Sequence, residues 1–176
     1  TSEAGIHDLV EVGSPVLKNG SDYLVNLPLI KAMAKTGLPT VLSTGMATLS
    51  EIDDAVRIYL AMNGQDLILL HCTSSYPTPA TDVHLRKIPT LAASFCCPVG
   101  FSDHTYGIVA AIGAVVLGAC WIEKHFTLDK NLPGPDQRFS SDPVEFKALV
   151  DAVRSMEQNL GIAAIGPAQS EMQSRL

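Results

Sequence analysis

Clustered positive charge is what this 176-residue sequence most clearly lacks: 12 Lys and Arg face 18 Asp and Glu, for a net charge of −6. A nucleic-acid surface needs Lys and Arg gathered to displace phosphate counterions, and no basic patch occurs along the chain, so that class of partner is excluded. An anionic small molecule is not excluded, because a local pocket can be positive inside an acidic protein. Paired cysteines are missing as well. Cys72, Cys96, Cys97 and Cys120 contain no CxxC spacing, and adjacent Cys96 and Cys97 suit neither a disulfide framework nor a zinc site. They read as small buried hydrophobes in a reducing compartment. The most apolar run, Ile108 to Cys120, has about a dozen residues where a membrane span needs about 20, so it reads as a buried helix. There is no signal peptide, and the opening Thr1-Ser2-Glu3 lacks a Met, which suggests a fragment. With 47% hydrophobic and 17% charged residues, the composition is that of an ordinary globular domain, long enough for one core.

Five short apolar runs stand out as strands: Val16–Gly20, Thr40–Thr44, Leu67–Cys72, Pro98–Ser102 and Cys120–Phe126. They are continuous rather than alternating, which suits strands buried on both faces of a parallel sheet. Helical patterns separate them. One covers 27–36, stopped by Gly37 and Pro39; a capping-box signature, Thr48 with Glu51, opens another that ends near Asn63–Gly64. Residues 84–95 and 106–119 give two more, Asp142-Pro143 starts the last, and 2–13 reads as a weaker helix feeding the first strand. His7 and His84 fall on helices and receive no role. Strict alternation of strand and helix implies a parallel α/β sheet with right-handed crossovers. Pattern alone leaves two versions open, a flavodoxin-like sheet and a partial (β/α) barrel, since five strands cannot close an eight-stranded one. Residues 162–176 carry Gly166-Pro167 and no hydrophobic period, and read as an exit linker.

In either version the active site lies at the carboxyl ends of the strands, and polar residues collect there. The strands end Lys18-Asn19-Gly20-Ser21, Ser43-Thr44-Gly45, His71 through Pro77, Ser102-Asp103-His104-Thr105 and Glu123-Lys124-His125. Two-residue alternation places Ser102 and His104 on one face with Asp103 opposing, and Trp121, Glu123 and His125 on one face with Lys124 opposing. Two histidines at neighbouring strand ends, a carboxylate one pleat below, make an open site for a divalent metal such as Zn, Mn or Fe. Taken singly, each would read as a hydrogen-bonded structural histidine. Lys18 with Ser21, Ser43 and Ser102 suits a phosphate or carboxylate, with amides exposed at Gly20 and Gly45. The competing reading is that Ser43-Thr44-Gly45 merely caps the helix at Thr48. Asn131 to Asp136 forms a rigid polar loop, or simply a turn.

The strings KNGSDYLVNLPLI, VLSTGMATLSEI, LLHCTSSYPTP, VGFSDHTYGI and EKHFTLDKNLPGPD, in this order and spacing, resemble the N-acetylneuraminate (sialic acid) synthase family, which includes legionaminic and pseudaminic acid synthases. The resemblance covers roughly residues 2–165. It implies a partial TIM (β/α)8 barrel, the last five βα units with parallel strands, over residues 1–161, with 162–176 leading toward an absent antifreeze-like domain. In the family that domain reaches over the active site of a dimer partner, so a cytoplasmic homodimer is implied for the full-length enzyme. The resemblance also makes His104 and His125 metal ligands, usually for manganese. It makes Lys18, Ser21, Ser43 and Ser102 the grip on phosphoenolpyruvate, Ser74 and Tyr76 further ligand contacts, Glu123 the acid/base, and Asp136 a partner of sugar hydroxyls.

Several positions depart from the family pattern: Asn19 replaces an apolar residue, and Asp22-Tyr23 stands where Gly and an acid are common. Ser74 replaces Asn of some members, and Gln137-Arg138-Phe139 replaces a frequent His-x-Ala. The last three touch the sugar side and leave the sugar open. The implied chemistry is condensation of phosphoenolpyruvate with an N-acetylmannosamine-like aldehyde, with water addition and phosphate release and no covalent enzyme intermediate. Two other readings stand beside it: a different metal-dependent barrel aldolase or lyase, and an inactive barrel fragment whose exposed sheet edges are costly.

Overall fold

In the computed structural model, which describes residues 2–175, helix starts and stops follow local chemistry. Helix α1 (Glu3–Glu11) is capped by the Ser2 hydroxyl, which accepts from the Gly5 N–H at 3.1 Å. Helix α2 (Leu27–Lys35) is capped by Asn26, and α3 (Leu49–Ala61) by the reciprocal Thr48–Glu51 box, in which Glu51 reaches back to the Thr48 N–H at 2.7 Å. Helix α6 (Pro143–Leu160) uses the same device through Asp142 and Glu145, with Pro143 at its first position. Two helices are shorter than their apolar patterns. The stretch read as 84–95 becomes α4 (Lys87–Phe95), because His84 sits in the left-handed region at φ 48° in the preceding turn; His84 is therefore not helical, unlike His7. The stretch read as 106–119 becomes α5 (Val109–Val116), bracketed by Gly107 at φ 74° and Gly118 at φ 93°.

The strands are β1 (Leu17–Asn19), β2 (Thr40–Ser43), β3 (Leu67–Cys72), β4 (Val99–Asp103) and β5 (Ile122–Lys124). All pair in parallel, in the order β1-β2-β3-β4-β5. A doubly wound sheet reverses its order once at a switch point. No reversal occurs here, and the fold is a partial (β/α) barrel. The first and last strands are shorter than the apolar runs that announced them. Beyond β5, Phe126 makes one isolated bridge to Ser141.

The pleat divides the sheet into two faces. Leu17, Leu42, Leu69, Val99 and Phe101 face the helices and join Leu29, Ile30, Ile52, Tyr59, Ile88 and Ala114 in one core. Burying each of these large side chains contributes about 1.5–3 kcal/mol. Lys18, Val41, Ser43, Leu70, Cys72, Gly100, Ser102 and Glu123 occupy the concave face. Crowding there is severe at Gly100: an added Cβ would lie 2.6 Å from Leu70 Cδ2 and 2.6 Å from both Cβ and the carbonyl oxygen of Trp121.

The thiols divide differently from the expectation. Cys72 is buried and Cys97 half-buried, but Cys96 and Cys120 are exposed, because both lie in the turns that lead into β4 and β5. Among the described residues all four are free, and no helix is long and apolar enough to cross a membrane. Residues 162–175 are exposed throughout and hold one 3-10 turn, Gln169–Glu171.

His71 lies on the helix side of β3, 2% exposed, and its Nε2 contacts the Val83 carbonyl at 2.6 Å. A carbonyl only accepts, so Nε2 carries the proton. Burial holds this imidazole below its ordinary pKa of 6.5, outweighing the Val83 bond, and nearby Lys87 and His84 push the same way.

Two outcomes follow. Gly100→Ala should destabilise the chain by about 1–3 kcal/mol through overpacking, read as a lower urea midpoint, whereas Gly20→Ala, which meets no atom within 4 Å, should not. As for pH, the unfolded chain takes up a proton below about 6.5 that folded His71 refuses, so unfolding free energy rises with pH in that window. Stability should be full above pH 6.5 and decline on acidification, with a shallower decline in His71→Gln; equal slopes would reject the assignment.

Candidate active site

Register builds the site. In the pairing of β4 with β5, Ser102 stands opposite Glu123 and Asp103 opposite Lys124. The first pair faces the concave side and the second the helices. Glu123 is the hub of the concave group: its Oε1 accepts the Ser102 hydroxyl at 2.7 Å and lies 3.1 Å from Lys18 Nζ, reaching across from β1. Both charged side chains are about one-third exposed, 34% for Lys18 and 32% for Glu123, so their attraction is screened and adds little to stability.

His104 follows β4 and is buried. Its Nδ1 lies 2.8 Å from the Thr73 carbonyl oxygen, which only accepts, so Nδ1 carries the proton. Burial lowers the pKa of this imidazole, with the Thr73 bond opposing and the neighbouring His125 reinforcing the shift, so the neutral ring is favoured. The Nε2 lone pair is then turned toward the site. Ser102 Oγ approaches it at 3.3 Å, but the single hydroxyl proton goes to the shorter contact with Glu123. An imidazole held by a backbone carbonyl through one nitrogen, with the other left as an electron-pair donor, is the arrangement found in metal ligands.

His125, just beyond β5, sets its ring 5.4 Å from that of His104 at 64°, and its Nδ1 lies 3.7 Å from Asp136 Oδ2. Tyr76 packs over both rings, at 4.3 Å from His104 and 5.6 Å from His125. Phe139 closes the frame at 5.1 Å from His125 and 5.7 Å from Tyr76. Burial pushes the Tyr76 phenol's pKa up, keeping it protonated. Among the described residues, His104 and His125 stay a pair. Among these described residues, the one group of three His, Cys, Asp or Glu side chains with ligand atoms mutually within 4.8 Å is His7, Asp8 and Glu11, all exposed on α1.

The remaining residues named from the sequence lie on adjoining strand ends. Ser21 and Ser74 share a hydrogen bond at 2.8 Å. Gly45 is required beside them, since a Cβ would fall 2.4 Å from Ser74 Oγ and 2.8 Å from Cys72 Sγ. Ser43 is 2% exposed, and its hydroxyl is buried without a partner. It does not cap α3. Thr48 does that, while Thr44 donates to the Leu70 carbonyl at 3.0 Å. An orphaned buried hydroxyl costs about 1–3 kcal/mol, which a ligand able to accept from it would recover.

Of the atypical positions, Asn19 lies at the end of β1 on the helix side, its Nδ2 buried and unpartnered, and Tyr23 packs against the core. Gln137 folds back over Gly134. Two contributors escaped the sequence reading as site parts. The Thr73 carbonyl is main chain and carries no residue signal; Phe139 stood out only as a departure from a pattern.

A family model described as the NeuB family matches residues 1–164. An uncharacterized protein of Methanocaldococcus jannaschii is 51% identical over 164 residues, covering 93% of this chain and 48% of that protein. An N,N'-diacetyllegionaminic acid synthase of Legionella pneumophila is 45% identical over 177 residues, covering 98% and 50%. Among solved structures, an N-acetylneuraminic acid synthetase from Leptospira borgpetersenii superposes with a TM-score of 0.90 at 38% identity, covering 97% of this chain and 60% of that one. The chain spans about half the length of the curated relatives it matches. A truncated 3-deoxy-D-arabino-heptulosonate 7-phosphate synthase of Thermotoga maritima, at 19% identity and a TM-score of 0.77, shares the fold alone. With the parallel array, the strand-end cluster and a match over nearly its full length, the chain belongs to the NeuB family.

Proposed function

We propose that this chain supplies the strand ends of a nonulosonic acid synthase that joins phosphoenolpyruvate to an N-acetylmannosamine-like amino-sugar aldehyde and releases phosphate. The observation that carries the proposal is the continuous polar chain Lys18–Glu123–Ser102–His104 across the concave face, with the unpartnered Ser43 hydroxyl on the same side.

His104 and His125 are the residues that would hold a divalent ion, manganese in our reading. The fit rests on the neutral His104 ring, protonated at Nδ1 so that Nε2 keeps its lone pair, and on the His125 ring 5.4 Å away. When bound, the ion supplies Lewis-acid polarisation of the aldehyde oxygen. The protein's own groups do the rest. The Lys18 ammonium and the Ser21, Ser43 and Ser102 hydroxyls bind the phosphate and carboxylate of phosphoenolpyruvate, and Ser74, joined to Ser21, extends that cradle. Asp136 accepts from sugar hydroxyls while Tyr76 and Phe139 wall the aldehyde in, so the reacting carbons are held in contact.

A carbon–carbon bond forms between the methylene of phosphoenolpyruvate and the aldehyde carbon, whose oxygen becomes a hydroxyl. Water adds to the electron-poor central carbon, and Glu123 accepts its proton at the carboxylate oxygen now held by Ser102 and passes it to the former aldehyde oxygen, which completes that hydroxyl. Collapse of the tetrahedral centre expels inorganic phosphate. Lys18 is free to leave Glu123 for the incoming anion because that ion pair is one-third open to solvent and its attraction is screened.

The decisive assay is phosphate release by the full-length protein that carries this chain. It should require both phosphoenolpyruvate and the amino sugar. Release with either alone, or aldol chemistry without phosphoenolpyruvate, would overturn the proposal. Within that assay, His125→Ala should lower kcat by about a hundredfold or more and reduce bound manganese. Lys18→Ala should raise the KM for phosphoenolpyruvate about 10- to 100-fold, the loss of one charge-assisted hydrogen bond of about 1.5–3 kcal/mol, with manganese binding unchanged.

A further inference from the structure

Directly behind the concave cluster, on the helix side of the same two strands, lies a second charge pair of different character. Lys124 Nζ donates to Asp103 Oδ2 at 2.8 Å and to the Thr105 carbonyl at 2.6 Å, while Asp103 Oδ1 accepts from the Thr105 N–H at 2.8 Å. The Lys124 side chain is 4% exposed and that of Asp103 0%. The consequence is geometric. Asp103 and Thr105 are the chain neighbours of His104, so the arc Asp103–His104–Thr105 is wrapped around one ammonium. That ammonium belongs to the residue between Glu123 and His125. A single buried cation thus fixes both strand tips, and the pleat turns Ser102, His104, Glu123 and His125 to the opposite face together.

Stability alone does not account for such a pair. Removing two charges from water costs several kcal/mol per ion, and apolar residues of similar volume often serve as well or better. Elsewhere on this face the strands meet the helices largely through Leu17, Leu42, Leu69, Val99 and Phe101, with Asn19 and His71 as uncharged polar exceptions. What the ion pair provides and apolar packing does not is directional hydrogen bonding to both the N–H and the carbonyl of Thr105, the residue after His104, from a carboxylate on the residue before it and the ammonium paired with that carboxylate.

We propose that Asp103 and Lys124 are positioning residues, which set the spacing and aim of the His104 and His125 imidazoles and of Glu123 without touching substrate. The effect on turnover rests on the function proposed above, but the effect on the imidazoles does not. The test uses the full-length protein and the double variant Asp103→Asn/Lys124→Met, which leaves no lone buried charge and therefore folds where either single variant can fail. Three quantities are compared with wild type: the nitrogen-15 resonances of the two imidazoles without metal, manganese affinity by spin-resonance titration, and kcat against KM for phosphoenolpyruvate.

The expected result is altered His104 and His125 resonances in a cooperatively folded protein. Manganese affinity and kcat should each fall about 10- to 100-fold, with KM for phosphoenolpyruvate little changed. Unaltered imidazole resonances, with only the melting temperature moved, would overturn the proposal and leave the pair a stability element. Should wild type neither bind manganese nor consume phosphoenolpyruvate, the functional reading would fall, and the imidazole resonances would still decide the positioning role.

Discussion

The register between β4 and β5 is the constraint on which the site depends. With Ser102 facing Glu123 and Asp103 facing Lys124, alternation sends one pair to the concave face and the other beneath the helices. A slip of one residue in either strand would exchange the faces. Asp103 or Lys124 would enter the mouth of the array, and Ser102 or Glu123 would be pressed into an apolar layer built from Phe101, Leu69 and Ile88. Burying a carboxylate there without a partner is prohibitive, so packing on one face enforces the chemistry on the other. The neighbouring strands obey the same rule: Lys18 lies between buried Leu17 and Asn19, and Ser43 follows buried Leu42.

The two ion pairs on these strands illustrate how environment assigns different roles to the same chemical groups. Lys18–Glu123 is one-third open to solvent, with a weak net attraction, so its partners can separate when an anion arrives. Asp103–Lys124 is closed off and bound to main chain at two points, so neither member can be exchanged without leaving a buried charge unpaired. A site that must rearrange around its substrate while keeping its imidazoles still needs one pair of each kind.

Much of this was legible in the sequence because parallel α/β architecture confines chemistry to strand ends. Five consecutive strand ends carrying Lys18, Ser43, Ser74 with Tyr76, Ser102 with His104, and Glu123 with His125 read as one surface in the sequence, although His71, at the same strand end, belongs to the helix side. Strand order was not legible. Apolar runs report burial on both faces but not which strand lies beside which, so the choice between a switched sheet and a barrel series waited on pairing. The helix starts at Lys87 and Val109 were misjudged for a local reason: the apolar patterns continue upstream, but left-handed backbone at His84 and Gly107 interrupts the hydrogen-bond ladder. The exposure of Cys96 and Cys120 was missed because apolar character was weighed without their place in the turns before β4 and β5.

What composition hides most completely is main-chain chemistry. The proton on His104 Nδ1, and therefore the lone pair at Nε2, is set by the carbonyl of Thr73, thirty-one residues earlier on the loop after β3. Any residue type at position 73 would offer that oxygen. The requirement is instead that the loop run close under the imidazole, and side chains around it see to that. Thr73 donates to the Asp82 carbonyl at 2.9 Å, while Thr78 donates to the Thr73 carbonyl at 3.2 Å and the Ser75 carbonyl at 2.7 Å. In return, the Thr78 N–H donates to the His104 carbonyl at 2.9 Å. The loop and the histidine thus hold each other through backbone on both sides. The strand-end hydroxyl of Thr73, together with that of Thr78 just beyond, shapes the loop that selects the tautomer.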